Sequence, residues 1–248
     1  MSNYREKIKS EQEGIKYDPD SSPEAWVHYS KFYTPKHWGL RDEFDFENRD
    51  TRNNLLNENR EEKEFKRLLS LVKPTSKYAK SGKFWSKFNI GGDADFNFND
   101  EKFELFRGIL GNNKEALLQL AECHKYHHSL VNFSLMPATG SLNNYKGSNR
   151  FDRQDTFIKD LNYFFSSNSR DILSEAGVNE EPLENFLNTF DNIYHYCEKF
   201  YFIDDREFID RMISEGAMPI TTRDDVVRYM NLAMDFWKKK EKYFEDNE

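Results

Sequence analysis

PLENFLNTFDNIYHYCEKFYF, residues 182–202, sets Leu183, Phe186, Leu187, Phe190, Ile193, Tyr194, Cys197, Phe200 and Tyr201 at intervals of mostly three and four. That spacing lines apolar side chains along one face of a helix with 3.6 residues per turn. The stretch predicts one amphipathic helix from Pro182 to Phe202, with a half-aromatic buried face. Working outward, Thr222 and Asp225 make a capping-box-like start for a last helix carrying Val226, Val227, Met230, Ala233, Met234 and Trp237. A shorter helix over 205–214 lies between them. Upstream, helices are predicted over 23–33, 52–72, from Asn99 or Asp100 to Gly111, over 114–127 and over 152–165. Extended chain is predicted near 93–98 and 130–136, and Pro137–Gly147 reads as a loop. The fold class expected is mainly α, a single helical domain over 1–248 with a small β element and with 1–14 as a mobile N-terminal segment.

Composition agrees with that class. Only 11 Gly and 7 Pro interrupt 248 residues, and 22 Phe make aromatics the main packing material of the expected core. The two cysteines, Cys123 and Cys197, form no CxxC pair, so neither a disulfide framework nor a structural zinc module is expected. No apolar run approaches the roughly 18 residues of a membrane-spanning helix. The charged opening MSNYREKIKSEQEG lacks a signal-peptide apolar region, so a cytoplasmic address and no membrane partner are expected.

Net charge is −8, which argues against a general duplex-DNA binder. The charge is segregated, however. Residues 65–92 contain no acid and seven bases: Lys66, Arg67, Lys73, Lys77, Lys80, Lys83 and Lys87. Residues 123–151 also contain no acid, and hold Lys125, Lys146, Arg150 and three histidines. Two cationic windows in an acidic chain concentrate positive potential, and an anionic ligand is the class of partner that such potential attracts.

Four stretches could carry chemistry. In CHKYHH, a helix reaching His128 would pair Cys123 with His127 and His124 with His128 at i,i+4, the spacing of helix-borne metal ligands. No acid lies between Glu122 and Asp152 to complete such a site, and histidine is also favoured at a helix C-terminus, so no metal is expected and His124 and His128 remain the only candidates. In NFSLMPATGSLNNYKGSNRF, a strand leads into a Gly/Asn loop whose backbone N–H groups, with Lys146 and Arg150, suit a phosphate. The spacing is not that of a Walker A loop. In KYAKSGKFWSKF, lysines at 77, 80, 83 and 87 interleave with aromatics, a pattern suited to single-stranded nucleic acid, although an ordinary amphipathic helix with an exposed lysine face accounts for it better. In DADFNFNDEKFE, Asp93, Asp95, Asn97, Asn99, Glu101 and Glu104 match the ligand spacing of a calcium loop, but Phe98 stands where such a loop needs glycine. A polar turn with a helix cap accounts for it better. No nucleophile elbow, redox pair or dinucleotide fingerprint is present, and no catalytic residue can be named.

YDPDSSPEAWVHYSKFYTP, with Asp18, Pro19, Asp20, Ser22 and Pro23, and the later Asn144, Gly147, Arg150, Phe151 and Asp152 resemble a group of uncharacterised bacterial and phage-associated proteins. The resemblance implies a link between the N-terminal turn and the central loop, and no activity. A histidine ahead of a strand and an Asn-bearing loop also resembles HNH-type nucleases, although the paired signature residues of that family are missing.

The functional expectation is an anion-binding protein for a nucleotide, nucleic acid or phosphate compound, held where the two acid-free windows meet. Lys146 and Arg150 would bind the anion, with Lys77 and Lys83 contributing from the other window. His124 and His128 would donate hydrogen bonds or carry a proton, and Asn143 and Asn144 would orient the loop. The alternatives are a protein-interaction or nucleic-acid-mimic module of phage–host conflict, and a metal-dependent hydrolase or nuclease.

Overall fold

The structure, a computed structural model, describes residues 32, 89–138, 142–149, 151–167, 169–175, 180–216 and 219–247. The helices expected over 52–72 and most of 23–33, together with Lys77, Lys83 and Arg150, lie outside the described residues. What is described is mainly α, with one two-stranded antiparallel sheet. Strand β1 (Asn89–Ala94) runs against β2 (Phe133–Ala138) in a register from Ala94 opposite Phe133 to Asn89 opposite Ala138.

The first strand therefore lies earlier than the Phe/polar alternation of 93–98 implied. Gly91 and Gly92 pair within it rather than breaking it. The chain leaves the ladder at Asp95, whose N–H donates to the Asn132 carbonyl at 2.6 Å. The alternation records burial instead: Phe96 and Phe98 are fully buried while Asn97 and Asn99 face outward in part.

Helix α1 (Asp100–Leu110) starts where Asn99 accepts the Lys102 N–H at 2.9 Å, and it stops at Gly111, whose φ of 60° disfavours any residue with a Cβ. Helix α2 (Lys114–Tyr126) is capped in the same way by Asn113. A buried 3-10 turn, Leu130–Asn132, then feeds β2. The expected loop after β2 is largely helical. Helix α3 (Leu142–Asn144) runs on into a π-helical turn (Tyr145–Asn149), because Leu142 and Tyr145 are both fully buried and pull the segment against the core. Helix α4 (Gln154–Ser167) begins two residues later than expected, since Phe151 and Asp152 have φ of 56° and 54° and cannot open a right-handed helix.

Helix α5 (Asp171–Glu175) is short. The long helix expected over 182–202 is two helices, α6 (Glu180–Leu187) and α7 (Ile193–Phe200). Between them lie Thr189, Asp191 and Asn192, residues that bond to nearby backbone and compete with the helix. The Thr189 hydroxyl donates to the Phe186 carbonyl at 2.7 Å, and Asn192 caps α7 by accepting the His195 N–H at 3.0 Å. The apolar spacing survives the break, and Phe186, Phe190, Tyr196 and Phe200 form one aromatic cluster.

Helix α8 (Arg206–Glu215) packs on α4 and ends at Gly216. A Cβ at Gly216 would stand 2.8 Å from the Asp155 carbonyl oxygen and 2.9 Å from that of Met212, both backbone atoms that cannot swing aside. Gly216→Ala is expected to cost about 1–3 kcal/mol in urea unfolding through overpacking. A variant as stable as wild type would show that the two helices do not approach so closely.

Helix α9 (Arg223–Asn247) is the spine. The capping box forms as expected: Asp225 accepts the Thr222 N–H at 2.9 Å and donates its own N–H to the Thr222 hydroxyl at 3.2 Å. Its buried stripe includes Val226, Tyr229, Met230, Ala233, Phe236, Trp237 and Phe244. Tyr229 sits among Phe96, Phe98 and Phe106, and Trp237 stacks on Tyr126 at 5.0 Å. Phe32, which is helical, packs its ring 4.5 Å from that of Phe244 and 6.0 Å from that of Phe202. No described helix is long and apolar enough to cross a membrane.

Candidate functional site

The β1–β2 ladder joins the end of the first acid-free window to the middle of the second, so the backbone brings these parts of the two windows together. The side chains expected to bind an anion there are used differently. Lys146 is fully buried, and its ammonium donates to Asp93 Oδ2 at 2.8 Å and to the Ala94 carbonyl. Asn143 donates to Asp93 Oδ1 at 2.7 Å. Together they clamp the π-helical turn onto β1. Burial alone would lower the Lys146 pKa, but the carboxylates of Asp93 and Asp152 outweigh it and hold the ammonium above its ordinary range. Asn144 is exposed.

The histidines separate as well. His124 is half-exposed, with Nδ1 2.7 Å from the Phe98 carbonyl, so that nitrogen carries the proton, and Nε2 is 3.5 Å from exposed Asp100. His128 is exposed, and its ring stacks on Phe133. His127, not among the sequence candidates, is the buried one. Its Nδ1 lies 3.4 Å from both the Phe96 carbonyl and the Phe98 N–H. Among the described residues no group of three or more His, Cys, Asp or Glu side chains is arranged to hold a metal ion. The calcium-loop spacing also disperses: Asp93 goes to Lys146, Asp95 to Lys240, Asn97 to Asp152, and Asn99 caps α1.

Burial lowers the His127 pKa to about 4, and neighbouring His128 and His124 act in the same direction against smaller opposing effects from the Phe96 carbonyl and Asp152. The unfolded chain takes up this proton below about pH 6.5, and the folded protein only near pH 4. The contribution is complete above about pH 6.5 and is lost as pH falls toward 4. At pH 5 it should have cost about 2 kcal/mol relative to neutral pH. Urea unfolding at pH 7 and pH 5 should show that loss in wild type and a smaller one in His127→Gln; equal slopes would refute a buried neutral His127.

Two elements that sequence reasoning missed lie deeper. Lys240 is fully buried and donates to Asp95 Oδ2 at 2.7 Å, Ser134 Oγ at 2.9 Å and the Phe133 carbonyl at 2.9 Å, which uses all three ammonium protons. The signal was its position, four residues from both Phe236 and Phe244 on the inward stripe of α9. Asn132 is the other. Its Oδ1 accepts from the Phe96 N–H and from Trp237 Nε1, while its Nδ2 donates to the Phe96 and His127 carbonyls.

A groove of about 190 Å³ lies between α1, the turn before α4 and the start of α9. Phe106, Phe151 and Tyr229 give it aromatic walls, and Leu105, Pro219 and Ile220 complete the apolar surface. Lys102 and Arg153 bring positive charge and Asn97 an amide, and none of the described residues lining it is a carboxylate. The Lys102 ammonium lies 5.9 Å over the Phe151 ring, and the Arg153 guanidinium lies 5.2 Å over Tyr229. Asp155, buried behind the groove, holds Arg153 through Nε and Nη2. Phe151 is 54% exposed despite its size, on the first of the two left-handed residues. A non-glycine pair in that conformation is costly, and here it projects an aromatic ring at the groove mouth. The chain is matched by no known protein family, no curated protein and no solved structure.

Proposed function

We propose that this protein binds an anionic ligand bearing a flat ring, of the nucleotide or nucleic-acid class, in the groove beside Phe151. One observation carries the reading: in a chain of net charge −8, this groove combines two cations and three aromatic rings with no carboxylate among its described lining residues. Lys102 would meet the anionic group, while the exposed Phe151 offers a face on which a ring stacks and the buried Tyr229, already covered by Phe98 and Arg153, forms the groove floor. Arg153 is oriented by Asp155, so part of its charge is neutralised and its role is to position and donate. The groove's volume suits one ring and its anionic substituent, which favours a mononucleotide or the end of a strand over a duplex.

The test is a titration of the purified protein with nucleoside monophosphates and a short oligothymidylate, followed by amide chemical shifts. Saturable shifts at Lys102, Phe151 and Tyr229 are expected, with binding weakened at least about tenfold by Lys102→Glu or Phe151→Ala in variants of unchanged circular dichroism. No saturable binding by any ligand would overturn the proposal. The protein-interaction alternative has its own support, since Leu105 and Phe151 are each about half exposed on the groove rim. It would gain if Phe151→Ala abolished capture of a defined partner while the nucleotide panel stayed inert.

A further inference from the structure

Three parts of the groove are tied to one residue, Asn97, on the short stretch between β1 and α1. Its backbone N–H donates to the Tyr229 hydroxyl at 3.1 Å, which fixes the groove floor. Its side-chain Oδ1 accepts the Asn99 N–H at 3.0 Å, and Asn99 in turn caps the helix that carries Lys102. Its Nδ2 donates to Asp152 Oδ2 at 3.3 Å, next in the chain to Phe151 at the groove mouth.

An anion site has a difficult neighbour in Asp152. It shares the left-handed conformation of Phe151, with a φ of 54°. A carboxylate free to swing toward Lys102 would offset that charge and repel a phosphate. The structure turns it the other way. The Asp152 N–H donates to the Lys146 carbonyl at 3.0 Å, which ties the left-handed pair back to the π-helical turn. The buried Lys146 ammonium attracts the carboxylate, and a Cβ placed on Gly147 would stand 3.2 Å from Asp152 Oδ1. One carboxylate oxygen therefore lies against the π-helical turn and the other is held by Asn97. Asn97 lines the groove, whereas Asp152 is not among the described residues lining it.

We propose that Asn97 is a positioning residue of the anion site. The proposal rests on the reading that the groove takes a ring-bearing anion. Asn97 holds the Asp152 carboxylate away from that ligand and so leaves the Lys102 charge available to it. It acts through Asp152 rather than by touching the ligand, because both heavy atoms of its amide are engaged within the protein.

The full chain is titrated with adenosine monophosphate, thymidine monophosphate and the short oligothymidylate, as wild type, Asn97→Ala, Asp152→Asn and the double variant. Asn97→Ala keeps the backbone bond to Tyr229 and should weaken binding about tenfold by releasing the carboxylate. Adding Asp152→Asn removes the charge, and asparagine tolerates the left-handed conformation. The double variant should therefore return to within about twofold of wild type. Damage to packing alone would not be repaired in this way. Asp152→Asn by itself should change affinity by less than about twofold, since the carboxylate already faces away. That arm decides the matter should Asn97→Ala not fold. The role of Asn97 is overturned, with the groove reading intact, by any of three results: wild type binds and Asn97→Ala binds as tightly, the double variant binds no better than Asn97→Ala, or Asp152→Asn alone shows a larger change. A wild type that binds none of the three ligands would overturn both readings.

Discussion

Lys240→Met is expected to destabilise the protein by about 3–5 kcal/mol, because it strands a buried carboxylate. Asp95 and Lys240 are both fully buried, and Asp95 would retain only the Ser134 hydroxyl, 2.9 Å away. Desolvation pushes the Asp95 pKa up against the attraction of Lys240, and it pushes the Lys240 pKa down against that of Asp95. For each group burial outweighs the partner, so the pair itself is a burden relative to an apolar pair of similar shape. Asp95→Leu/Lys240→Met should therefore be more stable than Lys240→Met alone and approach wild type. Urea unfolding of the three proteins decides it. A single variant within about 0.5 kcal/mol of wild type would show that the two groups do not meet in the core.

The second large effect is expected at Asn132. Asn132→Ala leaves the Phe96 N–H and carbonyl, the His127 carbonyl and Trp237 Nε1 without the partners they hold at 2.7–2.9 Å. Several buried groups unpaired together should cost about 3–5 kcal/mol. The variant should also alter the near-ultraviolet circular dichroism of Trp237, whose indole is fixed by this bond and by the stack on Tyr126. A stable variant with an unchanged tryptophan signal would remove Asn132 from its place at the centre of the fold. Asn132→Asp offers no substitute, since it keeps the acceptors and turns a carboxylate oxygen toward two carbonyls.

Much of this architecture was legible. The helix caps at Asn99, one of two candidates with Asp100, and at Thr222 are local signals, written within three residues of the N–H groups they satisfy, and both form. The inward stripe of the last helix follows from spacing alone. Less legible was the break between α6 and α7. Apolar spacing continues across it, and only the run of Asn188, Thr189, Asp191 and Asn192 marks where side chains displace the helix. Least legible were the lysines. Lys146 stands in a loop of apparent anion-binding character and Lys240 in a run of three lysines, yet both are fully buried.

By itself, then, the sequence determined the helical class, the aromatic core and most helix starts, because period and capping act over one or two turns. The tertiary structure decided which charges are internal. Lys240 meets its acid 145 residues away and Lys146 meets its acid 53 residues away. A lysine's burial depends on whether a carboxylate and carbonyls converge on its ammonium, and no local pattern records that convergence. The groove has the same origin, since Lys102, Phe151 and Tyr229 become neighbours only when α1, the left-handed turn and α9 pack together.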